Sequence, residues 1–173
     1  MLRRSDPLAN PEPLIRRVYS YAAYRLGDGP DAEDATGETF ARAVRYRKSF
    51  DARTGSAQAW LLGIARRVVD DQLSHGQQSA GPFEDRVASL GVQDVADLAA
   101  ERLFLHAALA RLSTSDRELL AMRYGADLAV KDIAAIMGVR TNSVDVALHR
   151  ALARLRESVE MSPAMQEMKR ERA

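Results

Sequence analysis

Two stretches of helical periodicity, separated by a segment that interrupts them, constrain this chain more than any other feature of its sequence. The first runs from about Pro13 to His75 and the second from about Leu98 to Val159. Apolar residues recur three or four positions apart in both, which places them on one face of a helix. Ala, Leu, Arg and Glu are abundant, and these residues favour helices over strands. The sequence therefore predicts an all-α protein with two small helical domains.

The segment between the two blocks differs in composition. Gly76–Asp97 contains glycine, serine and proline, which break a long helical period. Its charged residues are Glu84, Asp85, Asp94 and Asp97 against Arg86 alone. We predict a first domain at 10–75, a flexible acidic linker at 76–97, a second domain at 98–160 and a frayed tail at 161–173.

Local signals divide the first block into three helices. Pro30 suits the first position of the second helix, and Ser56 fits the N-cap of the third. We expect Trp60 on the inner face of the third helix. The second helix should direct Asp34, Glu38 and Arg42 outward. Its inward stripe is expected to be Ala32, Ala35, Thr39, Phe40, Ala43 and Val44.

The second block is expected to open with a helix over Leu98–Leu112, followed by a helix with a capped start. Ser115 and Glu118 fit a capping box, and Ser113 with Asp116 is the alternative.

The end of the second block has the pattern of a helix-turn-helix. A short apolar helix, Val130–Met137, meets a turn at Gly138, and a longer helix starts near Thr141. Such a second helix enters the major groove with its N-terminal side chains at the base edges. The side chains in that position are Thr141, Asn142, Ser143, Asp145 and Val146, then His149 and Arg150, while Arg140, Arg150 and Arg154 could neutralise phosphates. The alternative is an ordinary helical hairpin with solvated arginines.

Several classes of protein are disfavoured by what the sequence does not contain. It has no cysteine, no phosphate-binding or dinucleotide-binding glycine motif and no zinc-protease motif. Its three histidines lie in separate segments without metal-ligand spacing. We therefore predict no enzyme activity, no metal and no cofactor. No apolar stretch approaches the roughly 18–20 residues that span a bilayer, so a cytoplasmic protein without membrane insertion is expected.

Five segments together resemble the sigma-70 family of RNA polymerase sigma factors. Asp31–Val44 is similar to the family's polymerase-clamp helix, and Ala59–Arg67 to its promoter-melting segment. Leu112–Arg123, Asp132–Val139 and Ser143–Ala151 are similar to its C-terminal domain. The five occur in the family's order. No further domain separates the two blocks, so the extracytoplasmic-function group fits best.

The resemblance implies a role in transcription initiation, with bacterial core RNA polymerase and promoter DNA as partners. Asp34, Glu38 and Arg42 would dock on the largest polymerase subunit. Without the resemblance they would be a solvated face with a Glu38–Arg42 pair worth about 0.2–0.5 kcal/mol. Gly37 departs from the family, which more often has glutamine there, and a glycine within a helix costs about 1 kcal/mol relative to alanine.

The resemblance also implies two DNA contacts. The loop at Lys48–Gly55 would capture an unpaired base of the −10 element, with Phe50 either stacking on it or anchoring the loop in the core. The residues expected at the −10 element are Lys48, Phe50, Asp51, Arg53, Arg66 and Arg67. The −35 element would be recognised by Arg140, Thr141, Asn142, Ser143, Asp145, Val146, His149, Arg150 and Arg154.

Three positions depart from the family's pattern in the second domain. Asp145 and Ala147 stand where basic residues are frequent, and a carboxylate in the groove can accept a hydrogen bond from cytosine N4. Ala129 replaces a small hydroxyl residue that often caps the preceding helix, at a cost of about 1 kcal/mol.

The linker and the tail leave the regulation of the chain open. The acidic linker would thread toward the RNA exit path or act as a plain tether. Its flexibility would permit an anti-sigma factor to bind between the domains, and the sequence does not decide whether such a partner exists. Two other functions are alternatives: a stand-alone helix-turn-helix regulator and a sigma-mimicking interaction protein.

Overall fold

The computed structural model describes residues 6–76 and 104–161, which form seven helices and, over those ranges, no strand. The predicted linker beyond Gly76, the start of the second domain and the tail from Ser162 lie outside the described residues. No helix in the described ranges is long and apolar enough to cross a membrane. The predicted all-α fold is confirmed.

Three helices make up the first domain. Helix α1 spans Pro11–Leu26, α2 spans Pro30–Tyr46 and α3 spans Ala57–Gly76, and a 3₁₀ turn at Arg47–Ser49 follows α2. Each helix packs against the other two. Their shared core includes the fully buried Val18, Tyr21, Leu61, Leu62, Val68 and Val69. The stripe predicted for α2 is right for its alanines and Thr39, but Val44 is 62% exposed and was wrongly assigned to the core.

The described part of the second domain contains four helices. The described part of α4 covers 104–110, α5 spans Thr114–Leu120 and continues into a π-helical turn at Ala121–Gly125, α6 spans Val130–Met137, and α7 spans Thr141–Glu160. Gly138 ends α6 with a φ of 68°, a left-handed conformation that favours glycine. The helix-turn-helix is therefore present where the sequence predicted it. The helix expected up to Leu112 ends two residues earlier, at 110.

The helix starts confirm two of the predictions made from the sequence and correct a third. Pro30 is the first residue of α2, and Ser56 caps α3 by accepting a hydrogen bond at 3.1 Å from the Ala59 amide. The capping box assigned to Ser115 and Glu118 is wrong. Ser113 caps α5 instead, since its Oγ accepts from the Asp116 amide at 3.1 Å. The Glu118 side chain is used elsewhere, in ion pairs with Arg25 and Arg66.

The two domains pack against each other and share one hydrophobic core. The buried residues of α1 to α3 and those of α5 to α7 belong to a single cluster. The turn at Ala121–Gly125 lies against α1, and α6 contacts α3. The sequence did not predict this association, because nothing in its periodicity says which helix faces the other domain.

The start of α6 gives a first testable prediction. Ala129 occupies the N-cap with extended backbone (φ −67°, ψ 147°) and provides no side-chain acceptor. Ala129→Ser should raise the free energy of unfolding by about 1 kcal/mol, because a serine at this position can accept a hydrogen bond from the first turn. Urea denaturation measures the change. Ser113→Ala, which removes an existing cap, should lower the same quantity by a similar amount. An unchanged midpoint for Ala129→Ser would contradict the prediction.

Candidate nucleic-acid interface

Helix α7 has one buried face and one exposed face. Val144, Leu148 and Ala151 are buried against the rest of the second domain. The exposed residues include all nine that were predicted to contact the −35 element: Arg140, Thr141, Asn142, Ser143, Asp145, Val146, His149, Arg150 and Arg154. The buried residues fix the helix through its inner face, so its N-terminal side chains are presented outward. This is the arrangement that a recognition helix requires.

Arg154 differs from the other arginines of this face. Its Nη1 donates to both carboxylate oxygens of Asp116, at 3.0 and 2.7 Å, and that carboxylate is largely buried. The guanidinium is thus held at the start of α5, where the carboxylate also lies near the positive end of the helix dipole. Arg140 and Arg150 are exposed at and near the start of this helix. They are the better candidates for phosphate contacts.

A cavity of about 510 Å³ lies where the first domain meets α6. Its first-domain wall comes from the end of α2, the 3₁₀ turn and α3, and Ile136 of α6 completes it. The wall combines aromatic, aliphatic and cationic groups, which suits an unpaired base and its phosphate. The first-domain residues are Tyr46, Ser49, Ala59, Trp60, Gly63, Ile64, Arg66, Arg67 and Asp70.

The residues predicted at the −10 element divide between this cavity and the adjoining loop. Arg66 and Arg67 line the cavity. Lys48 and Arg53 are exposed on the loop, and Arg53 is held in a two-point ion pair with Asp51. Those two residues fold the loop locally, since the Asp51 carboxylate also accepts from the Arg53 amide at 3.0 Å.

The two aromatic residues of this region have different positions. Phe50 is 9% exposed, so it anchors the loop in the core, and stacking on a base is not available to it in this arrangement. Trp60 packs against the core as predicted, but it is only half-buried and also lines the cavity. The two rings lie 5.6 Å apart at 59°, within the range of a favourable aromatic pair.

The Arg66 side chain is 34% exposed, and its guanidinium is bound to the second domain. Its Nε donates to Glu118 Oε1 at 2.6 Å, and this hydrogen bond raises the pKa of Arg66. Glu118 also pairs with Arg25, whose side chain is 2% exposed, at 3.3 Å. Arg25 in turn donates to Asp70 at 3.0 Å and to the Tyr21 hydroxyl at 3.1 Å. A network of charges, buried at Arg25 and Glu118, therefore joins the first domain to the second at the wall of the cavity.

The outward row of α2 has the exposure that the sequence predicted. Asp34 and Glu38 are exposed and Arg42 is partly so. The Arg42 guanidinium donates to Glu38 at 2.6 Å and to Asp71 of α3 at 3.0 Å. Both hydrogen bonds raise the pKa of Arg42, and the one with Glu38 is the larger cause. The row therefore forms a small ordered set of charges on the surface.

Sequence reasoning missed several residues of the site. Tyr46 lines the cavity and is 53% exposed, so its ring can accept a stacked base. An aromatic residue among Arg45, Arg47 and Lys48 was an available signal. Gly63 and Asp70 also line the cavity, and no local pattern marks either of them. The described residues contain no cluster of groups arranged to hold a metal ion.

Comparisons with known proteins agree with this geometry. The family model for sigma-70 region 2 matches residues 12–78, which contain the outward row of α2 and every lining residue of the cavity except Ile136. The model for sigma-70 region 4 matches residues 104–155, which contain the helix-turn-helix. The chain belongs to the sigma-70 family of RNA polymerase sigma factors, in the extracytoplasmic-function (ECF) group.

Individual relatives are also ECF sigma factors. The chain is 33% identical over 144 residues to the ECF RNA polymerase sigma factor SigC of Mycobacterium tuberculosis, covering 78% of this chain and 72% of that one. It is 30% identical over 146 residues to the ECF sigma factor BldN of Streptomyces coelicolor, where it spans 80% of this chain but only 54% of that relative. The fold is shared with the sigma factor RpoE of Bartonella quintana, solved in complex with the anti-sigma factor NepR (TM-score 0.68, 24% identity, 86% and 93% of the two chains).

Proposed function

We propose that this chain directs bacterial core RNA polymerase to promoters, with the first domain binding and helping to open the −10 element and the second binding the −35 element. The observation that supports this most is the pair of separate nucleic-acid surfaces in one chain. The exposed face of α7 suits duplex DNA, and the cavity beside Tyr46 and Trp60 suits an unpaired base. A protein that bound only duplex DNA would have no use for the second surface.

The near-balance of basic and acidic residues in the chain supports a role for the polymerase in holding the DNA. The chain carries 25 basic and 24 acidic residues, whereas phosphate contacts supply much of the affinity of an autonomous DNA-binding protein. A chain with almost no net charge can still act at DNA when a partner makes most of the phosphate contacts. We propose that the polymerase is that partner and performs the chemistry of RNA synthesis, so the chain itself is not an enzyme.

The contact with polymerase is proposed at Asp34, Glu38 and Arg42. Arg42 is held by Glu38 and by Asp71, so the row is ordered before any partner binds. Ordered side chains lose less conformational freedom on binding. Gly37 lies next to this row, and an added Cβ there would meet nothing within 4 Å, so its place in the helix is not required by internal packing.

The test is run-off transcription by bacterial core polymerase on a promoter library, with and without the chain. Transcripts that need the chain and share two spaced elements are expected. Glu38→Arg should abolish them by reversing one charge of the proposed contact. Glu12→Arg is the matched control, because it breaks another surface pair, Glu12–Arg16, with the same i,i+4 spacing on α1. Equal activity of wild type and Glu38→Arg would exclude the proposed contact, and no transcripts from the folded wild-type chain would exclude the function.

An anti-sigma factor is a further proposed partner. The similar sigma factor of Bartonella quintana is bound to one in its structure, and the linker through which one could act on this chain lies outside the described residues. Inhibition of the transcription assay by a candidate protein, reversed by excess chain, would identify it.

A further inference from the structure

Asp116 is a buried carboxylate that α5 holds in a fixed place. The residue is 6% exposed, and its amide donates to Ser113 Oγ at 3.1 Å in the first turn of the helix. A buried carboxylate is strongly unfavourable without a cation beside it. The cation is Arg154 of α7, whose Nη1 lies 3.0 and 2.7 Å from the two carboxylate oxygens. Asp116 therefore binds Arg154 from the side of the protein interior.

The Arg154 guanidinium is shared between this carboxylate and solvent. Its side chain is 56% exposed although it is paired. Both hydrogen bonds to Asp116 use Nη1, whereas a guanidinium has five N–H donors in a planar fork. The donors on Nε and Nη2 can therefore bind an oxyanion, and their direction is set by the bonds that Nη1 makes.

Arg154 lies beside the exposed face of α7 that was assigned to DNA. It follows Arg150 by four residues, which places the two side chains on the same flank, one turn apart. Side chains tilt toward the N-terminus of their helix, so the Arg154 guanidinium is displaced toward the turns that enter the groove. Ser158, a further turn along, donates to the Ala108 carbonyl of α4 at 3.1 Å and holds the same flank against the domain. The two arginines thus form a short row at the edge of the recognition surface.

A tether at Arg154 has an advantage for phosphate binding. Two arginines four residues apart on a helix repel each other, and an untethered Arg154 would turn toward solvent. Exposure alone favours Arg140 and Arg150 as phosphate ligands, but a long side chain loses conformational freedom when a ligand fixes it. Asp116 has already removed that freedom from Arg154. A guanidinium that is fixed before binding loses less on contact with a phosphate.

We propose that Asp116 is a positioning residue for DNA binding: it holds Arg154 so that the remaining N–H groups of the guanidinium bind a backbone phosphate at the edge of the −35 element. The proposal deepens the proposed function and rests on it, since that function places α7 in the major groove. A phosphate contact of this kind fixes the register of a protein on the duplex without reading a base. It is therefore expected on DNA of any sequence.

The sign of one effect distinguishes positioning from plain electrostatics. A carboxylate near DNA repels phosphates, so replacing Asp116 by a neutral residue should strengthen binding if only its charge matters. If Asp116 positions Arg154, the same replacement should weaken binding, because the guanidinium loses its fixed direction.

The test measures binding of the full chain to a short fluorescent DNA duplex of mixed sequence, by fluorescence anisotropy over a series of KCl concentrations. The variants are Asp116→Asn, which keeps the shape of the side chain and removes its charge, Arg154→Gln, and the two combined. Glu157→Gln is the matched control, because it removes a carboxylate from the exposed surface of the same helix, three residues after Arg154. Far-UV circular dichroism and urea denaturation confirm that each variant is folded under the conditions of the assay.

The variants have different expected effects. Asp116→Asn should weaken binding about three- to tenfold, the scale of fixing one flexible side chain on binding. Arg154→Gln should weaken it at least as much and lower the slope of log affinity against log salt by about 0.9, the loss of one phosphate contact. The combined variant should bind no more weakly than Arg154→Gln alone, because Asp116 acts through Arg154. Glu157→Gln should bind as well as wild type or slightly better.

Several outcomes would overturn the proposal. One is binding by Asp116→Asn that equals or exceeds that of wild type, and another is an unchanged salt slope in Arg154→Gln. A further loss when Asp116→Asn is added to Arg154→Gln would mean that Asp116 only supports the fold of α5. A folded wild-type chain that binds no duplex at low salt would overturn it as well. The proposed function is judged separately by transcription: because none of these measurements involves polymerase, the expected pattern would support the positioning role even if the chain directed no transcription.

Discussion

Replacing Arg25 by methionine is expected to lower the free energy of unfolding by about 3 kcal/mol, toward the lower end of what loss of one partner from a buried ion pair costs. The Arg25 side chain is 2% exposed and pairs with both Asp70 and Glu118. Methionine fills a similar volume but leaves Glu118, which is 10% exposed, with one cation fewer. The effect stays below the maximum because Arg66 still pairs with Glu118 and Asp70 is half exposed to water. Urea denaturation followed by circular dichroism measures it.

A double-mutant cycle identifies the cause of that loss. Arg25→Met with Glu118→Met should cost less than the sum of the two single changes, because the double variant leaves no carboxylate buried at this point. Arg16→Met is the matched control, since Arg16 belongs to an exposed pair with Glu12, and such pairs contribute about 0–1 kcal/mol. Additive effects in the cycle, or an Arg25 variant no less stable than the Arg16 variant, would show that the buried pair does not hold the domains together.

Arg25 also shows what sequence reasoning could not reach. Helical periodicity locates the buried face of α1, on which Val18, Ala22 and Leu26 lie. An arginine on that face is assigned to solvent by the same rule, because burying its charge alone is unfavourable. Its partner lies 93 positions away along the chain, since Arg25 meets Glu118, and no local pattern links the two. The association of the domains was missed for this reason.

The recognition helix was predicted far better than the −10 cavity. Its side chains follow one another along α7, so helical periodicity alone separates Val144 and Leu148 from the exposed residues between them. The cavity instead gathers residues from the end of α2, from α3 and from α6. Its cations Arg66 and Arg67 were found through the resemblance to a family, whereas Ile136 depends on packing between domains. A surface formed by one helix can be predicted from sequence, and one formed by three elements requires the tertiary structure.

The N-cap of α5 could not be decided from the sequence, because it too depends on tertiary contacts. Ser113 and Ser115 each stand three residues before an acidic residue, so both fit the same motif. Tertiary contacts decide between them. Glu118 is drawn into the ion pairs with the first domain, and Asp116 receives Arg154 from α7. Ser113 is then left as the N-cap of α5.

Asp145 provides the second prediction with a large effect, this time on promoter choice. It is exposed in the second turn of α7, beside the other side chains that face the major groove. A carboxylate there can accept a hydrogen bond from cytosine N4 but repels phosphates. Asp145→Ala should therefore remove a preference for cytosine at one position of the −35 element, worth about 1–3 kcal/mol, while raising the affinity for the other sequences.

The measurement is transcription by polymerase carrying either wild type or Asp145→Ala on templates randomised in the −35 element. The ratio of transcripts with cytosine to those without should fall at one position only, since each recognition-helix side chain reaches one or two base pairs. Glu157→Ala removes the same charge from the exposed C-terminal part of α7, beyond the turns that enter a groove, and should leave every ratio unchanged. An effect of both variants alike would point to net charge as the cause, because long-range repulsion of phosphate does not distinguish bases. Identical preferences for wild type and Asp145→Ala would mean that this carboxylate makes no base contact.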